Sequence, residues 1–276
     1  MNTTYPLSTG FLRIGFVLLL GLMLTACATT PTGRKQLMLV SEGQAIEASK
    51  KAYVEMIEPL EKEGKIDSNK ALTQRVNDIT DKLIVQAVNM RPETKDWDWQ
   101  VKVIDDPEMV NAWCMAGGKM AVYTGLIEKV KPTDDELAQV MGHEISHALA
   151  NHSAEQMSVA MASSLGLMVF GMASDSPAAT MTAAAVAAKL AIELPYSRAG
   201  ESEADRIGIE LAAKAGYDPH AAVTLWQKME KVGGSTPPVF LSTHPSPENR
   251  QEKLNSYIPQ MMPYYEAAKT QQEMRK

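Results

Sequence analysis

Apolar residues recur at two periods along this chain, and each change of period marks a change of element. "SEGQAIEASKKAYVEMIEPL" carries a helical spacing that Ser41 and Gln44 open as a capping box. In "ALTQRVNDITDKLIVQAV", Leu72, Val76, Ile79, Leu83 and Ala87 fall on one face, which predicts a second amphipathic helix. The period then drops to two. Trp99, Val101 and Val103 alternate with polar residues in "DWQVKVID", as in a half-buried strand. "MVNAWCM" and "KMAVYTG" predict two further short strands, joined through Ala116-Gly117-Gly118, where the glycine pair suits a tight hairpin. Helical spacing returns in "PTDDELAQVMGHEISHALANH". Leu137, Val140, Met141, Ile145 and Leu149 give it a buried side, Thr133 and Glu136 make a second capping box, and Asp134 and Asp135 suit the positive end of the helix dipole.

The second half reads as further helices. "MSVAMASSLGLMVFGMA" (Met157–Ala173) is apolar and uncharged but short for a membrane span, which predicts a buried helix. "PAATMTAAAVAAKLAIEL" is an Ala-rich helix, and "ESEADRIGIELAAKAG" another, with Gly216 just past its end. Asp218-Pro219 starts the next. "VGGSTPPVFLSTHPSP" is a Pro- and Gly-rich loop long enough to suggest function, and Ser246-Pro247-Glu248 opens a last helix. The pattern is α+β: mostly helical, with a small antiparallel sheet just before the helix that carries "HEISH".

The N-terminus stands outside this scheme. "FLRIGFVLLLGLMLTAC" has one arginine, an apolar run and small residues before Cys27, the make-up of a secretory signal. Leu24-Thr25-Ala26-Cys27 resembles a bacterial lipobox. That resemblance implies cleavage before Cys27 and lipid on the new terminal cysteine, and two or more acyl chains hold a protein stably on a membrane. "ATTPTGRKQ" then reads as a polar linker. Bulk composition narrows the picture further. At 276 residues, 45% of them hydrophobic, the chain can bury one sizeable core. A net charge of −6 leaves no basic footprint for nucleic acid. Cys27 and Cys114 are the only cysteines, so no disulfide framework is built.

The chemistry lies in "MGHEISHALANH". His143 and His147 stand four residues apart, about 40° around a helix, so both imidazoles can reach one zinc ion. Glu144 sits beside them, where its carboxylate can take a proton from water. A zinc site needs a third protein ligand. His152 lies nine positions after His143, on the far side of a straight helix, and is excluded. Ala150 and Ser153 stand where a metzincin would have glycine and histidine. The ligand must come from another element, as in sites built from two histidines and a glutamate. "SRAGESEAD" offers Glu201, Glu203 and Asp205. Glu201 and Asp205 share a helix face, which suits Glu201 as ligand and Asp205 as acceptor for the free N–H of a liganding histidine. Glu203 and Glu210 fit a solvated acidic face.

HExxH followed by Ser197, Arg198, Glu201, Ala204 and Asp205 resembles the M48 zinc metallopeptidases of the Ste24, HtpX and Oma1 group. "EADRIGIELAAKAGYDP" and "THPSPENR" look most like its BepA- and LoiP-like periplasmic lipoprotein members, with the C-terminal TPR repeats of BepA-like proteins expected to be missing. The resemblance implies a zincin-type (gluzincin) metallopeptidase domain over residues 41–260. Residues 1–26 would then be a signal peptide, 27–40 a lipidated N-terminus and linker, and 261–276 a tail. It also implies an edge strand in which Asn111 and Ala112 bind substrate backbone, and a cleft histidine at His244. His244 would either stabilise the oxyanion or occupy zinc's fourth position at rest. Arg250 would be a structural or site-lining arginine. One Zn2+ per chain, protein substrates, a membrane lipid anchor and contact with outer-membrane assembly machinery follow as expectations. Ala28 after Cys27 suggests outer-membrane sorting. The rival expectation is a zinc-stabilised chaperone or assembly-factor lipoprotein with little proteolysis.

Overall fold

The computed structural model describes residues 27–174, 182, 185, 194–232, 238–244 and 249–274. The signal segment, nearly all of the Ala-rich helix expected before Leu194, and Ser246-Pro247-Glu248 lie outside these residues. The chain opens with an antiparallel hairpin of β1 (Cys27–Thr29) and β2 (Lys35–Leu37). Two long helices follow, α1 (Glu42–Lys62) and α2 (Lys70–Met90). The Ser41–Gln44 box caps α1 as expected, and α2 buries Val76, Ile79, Leu83 and Ala87. Strands β3 (Gln100–Ile104), β4 (Ala112–Cys114) and β5 (Lys119–Tyr123) form a sheet in the order β3-β5-β4. Helices α3 (Thr124–Val130) and α4 (Asp134–Leu149) come next. They are followed by α5 (His152–Ser174), α6 (Leu194–Lys214), α7 (Ala221–Val232), the short α8 (Val239–Thr243) and α9 (Arg250–Met274).

The sheet departs from the expected purely antiparallel form. Gly117 and Gly118, both at positive φ, turn the chain between β4 and β5, which pair antiparallel. β3 pairs with β5 in parallel, because the chain passes β5's place after Ile104 and β4 takes the far edge. This leaves β5 central and one side of β4 unpaired within the sheet.

Helix α4 lies in the middle of the molecule. The Thr133–Glu136 box fixes its start, and Leu137, Val140, Met141 and Ile145 are fully buried along it. Its tightest neighbour is α6. A Cβ on Gly142 would lie 2.9 Å from the Gly208 carbonyl oxygen, and one on Gly208 would lie 2.8 Å from the His143 nitrogen. The two backbones therefore touch where any side chain would hold them apart.

Three further expectations change. Residues after Cys27 are no free linker: they pair as the β1–β2 hairpin, and Gln36 is buried against α5 and the end of α4, with Nε2 2.5 Å from the Ala150 carbonyl. Helix α5 is only half buried. Ala154, Ser158 and Val159 are buried in its first turns, while Met157, Met161, Leu165 and Met168 form an exposed apolar stripe that runs on along the helix. The boundary placed at residue 260 falls inside α9, which continues to Met274 and buries Met261.

Candidate active site

Helix α4 delivers His143, Glu144 and His147, and the Gly142–Gly208 contact sets α6 beside them. His143 Nε2 is 3.1 Å from His147 Nε2. Glu201 of α6 reaches both through its two oxygens, at 3.3 Å from His143 Nε2 and 3.4 Å from His147 Nε2. Donors arranged tetrahedrally around zinc at ordinary ligand distances stand about 3.4 Å apart. The triangle therefore has the size of a zinc coordination face. His244 joins it, and the four donor atoms of His143, His147, Glu201 and His244 all lie within 4.8 Å of one another.

The surroundings favour this use. Asp205 Oδ1 lies 3.1 Å from His143 Nδ1, so it accepts the N–H that leaves Nε2 free to coordinate. Arg250, buried in turn, donates to Asp205 at 2.6 Å and stacks on Trp226, its guanidinium carbon 3.3 Å from the ring centroid. Burial raises the Asp205 carboxyl, but Arg250 and His143 outweigh that and hold it below the usual range. For His143, burial favours the neutral ring, yet Asp205 and Glu201 lift it to about 9. Burial, then the neighbouring His143, pushes His147 well below its ordinary value. Carboxylates thus gather around a spot that attracts positive charge, next to an imidazole kept neutral.

Glu144 is buried, and its Oε1 has no hydrogen-bond partner. His244 Nε2 stands 3.4 Å from it. A buried carboxylate oxygen left unpaired beside a set of metal donors is costly for stability and suits a proton acceptor facing a cleft. That cleft holds about 220 Å³, with Asn111, Trp113, Cys114 and Gln156 among its walls. β4 forms one wall. The Asn111 carbonyl accepts from Tyr123 N–H and Met115 N–H donates to Lys119, so Ala112 and Cys114 turn their backbone groups away from β5, to the unpaired edge. The Asn111 side-chain Oδ1 is buried without a partner.

Asn111, Ala112, Glu144, His147, Glu201 and His244 line this cleft, and His143 joins the donor cluster beside it. Cys27 lies apart from it, in β1. Sequence reasoning missed two members of the neighbourhood. Glu203 is buried rather than solvated, with its Oε2 3.2 Å from His152 Nε2 and 2.6 Å from Arg34 Nε. His152 is not among the clustered donors, as expected, yet its Nδ1 lies 2.9 Å from His147 Nδ1. The signal was present: a helix-breaking Asn151 stands just before it.

A family profile described as peptidase family M48 matches residues 70–258. The chain belongs to peptidase family M48. The match includes all four clustered donors and Glu144, together with Asn111, Asp205 and Arg250. Among curated relatives, this M48 chain is 41% identical to a mitochondrial metalloendopeptidase OMA1 of Arabidopsis thaliana over 56% of its own length and 31% of the relative's. It is 35% identical to the human mitochondrial metalloendopeptidase OMA1, over 84% of this chain and 45% of that one. The β-barrel assembly-enhancing protease of Escherichia coli is 29% identical over 70% of this chain and 40% of its own. The M48 chain therefore spans roughly a third to a half of these relatives. Its similarity extends to OMA1-type members and is not particular to the periplasmic lipoproteins.

Proposed function

We propose that this chain is a zinc-dependent endopeptidase, held by lipid at the periplasmic face of a bacterial envelope, that cleaves misfolded or stalled envelope proteins. One observation carries the enzymatic part: the unpartnered, buried Glu144 oxygen beside a donor cluster of zinc dimensions. His143, His147 and Glu201 hold the metal, with Asp205 and Arg250 fixing His143. Zinc, when bound, supplies a Lewis acid and makes water acidic enough to attack a carbonyl near neutral pH. Glu144 takes the proton of the attacking water and passes it to the leaving amine. The outward backbone groups of Ala112 and Cys114 receive an extended peptide as an added strand, and the Asn111 amide contacts it from the side. His244 either donates to the oxyanion in turnover or stands as a fourth ligand at rest.

The envelope location rests on the lipobox-like "LTAC" and on bacterial relatives named for β-barrel assembly. These also make the outer-membrane assembly machinery a candidate partner. The non-proteolytic reading draws on His244, since four protein donors resemble a closed structural site. Glu144→Gln separates the two. The variant is expected to keep stoichiometric zinc and lose casein cleavage by at least about a hundredfold. Undiminished cleavage removes Glu144 as the base, and loss of zinc makes it a ligand.

A further inference from the structure

His152 owes its place to a break in the backbone. Helix α4 ends at Leu149, Asn151 takes a left-handed conformation at φ 56°, and α5 begins at His152. The break swings a side chain that a straight helix would carry away back against His147. The imidazole is buried, at 2% exposure. It touches two groups: His147 Nδ1, 2.9 Å from its own Nδ1, and Glu203 Oε2, 3.2 Å from its Nε2. Gly200 of α6 lies alongside it, where a Cβ would be in ordinary contact, 3.5 Å from His152 Nδ1.

These contacts have a direction. His147 Nε2 faces the donor cluster, so its Nδ1 must carry the ring proton if Nε2 is to coordinate. His152 Nδ1 is the acceptor within reach. That requirement leaves the proton of His152 on Nε2, where it is donated to Glu203. Glu203 is clamped from the other side. Arg34 Nε donates to its Oε2 at 2.6 Å, and the Thr32 hydroxyl donates to its Oε1. The remaining guanidinium nitrogens of Arg34 pair with both oxygens of Glu155 on α5, at 2.7 and 2.6 Å. Gln36 donates to the same Glu155 at 2.9 Å. Arg34, Thr32 and Gln36 belong to the N-terminal hairpin, outside the 70–258 span of the family match.

We propose that His152 is the positioning residue for His147, as Asp205 is for His143, and that Arg34 of the N-terminal hairpin extends this support by clamping Glu203. The proposal rests on the zinc reading of the cluster. It gives the hairpin a share in the metal site besides any part in tethering the chain.

The test measures zinc release from the full chain to a competing chelator, with the cobalt-substituted protein's visible spectrum as a second readout. In His152→Phe the ring shape stays and the acceptor goes. Zinc affinity should fall by about 10- to 100-fold, and the cobalt bands should shift. His152→Asn keeps an acceptor near the place of Nδ1 and should recover most of the loss. Arg34→Met should weaken zinc in the same direction, while Arg75→Met, which removes an exposed ion pair with Asp134, should not. Wild-type affinity in His152→Phe overturns the proposal, as does equal weakening in His152→Phe and His152→Asn, which would mean packing alone. If His152→Phe fails to fold, His152→Asn and Arg34→Met decide: the proposal falls if Arg34→Met binds zinc like wild type. A wild-type chain that takes up no zinc sinks the metal reading itself, an outcome distinct from the others.

Discussion

His244 shows how much one residue's hydrogen bonds settle. Its Nδ1 lies 3.1 Å from the Phe240 carbonyl oxygen, and a proton held there would leave the Nε2 lone pair facing the cluster. Its ring stacks on Phe240 with centroids 4.5 Å apart. Burial favours the neutral ring, but Glu144 outweighs it and raises the His244 pKa. A lone pair held at this place is what a fourth ligand offers. X-ray absorption at the zinc edge should therefore fit one imidazole more in wild type than in His244→Ala. Matching spectra, with the same nitrogen count in both, would leave His244 only the oxyanion role. At this scale the sequence was informative wherever two groups share one regular helix: His143 with His147, and Glu201 with Asp205. It misled at His152 and Glu203. The first judgement assumed a straight helix through Asn151, and the second saw a run of acids without the distant Arg34 that buries it.

Between elements, the contact that matters most involves no side chain. Gly142 and Gly208 let α4 and α6 approach closely enough for Glu201 to reach both histidines. Gly208→Ala places a methyl group against the His143 backbone, where no flexible atom can give way. Overpacking of this kind costs about 1–3 kcal/mol. Urea unfolding should show that loss, and chelator competition should show weaker zinc than a loss of stability alone explains. An unchanged unfolding midpoint would mean that the helices part freely. The capping boxes of α1 and α4 and the buried face of α2 were legible because each is a local pattern. The parallel β3–β5 pair was not, since a period of two identifies a strand but not its neighbour. The exposed stripe on α5 was hidden for a related reason: apolar composition reports helix or strand, while burial depends on what packs against it.

For the molecule as a whole, the order of the chain places Cys27 at the start of β1, seven residues before Arg34. A lipid at Cys27 would therefore sit close to the hairpin that braces Glu203. Cys27→Ala is expected to abolish palmitate labelling and release the protein from the membrane fraction, with the circular dichroism of a folded domain retained. Unchanged labelling would exclude Cys27 as the modified residue. The clustered groups have a further consequence. Arg34, Asn111, His143, Glu201, His244 and Arg250 are scattered along most of the chain, and closing such long loops costs entropy that is recovered only when the helices pack. A chain made only as far as His147 carries Arg34, Asn111 and the His143–Glu144–His147 triplet but lacks Glu201, His244 and Arg250. The donor set of the zinc reading therefore closes only once the chain has been made past Arg250 and folded. On the zinc reading, an unfinished copy therefore cannot hold the metal, and the hydrolytic chemistry proposed for the chain begins only with folding.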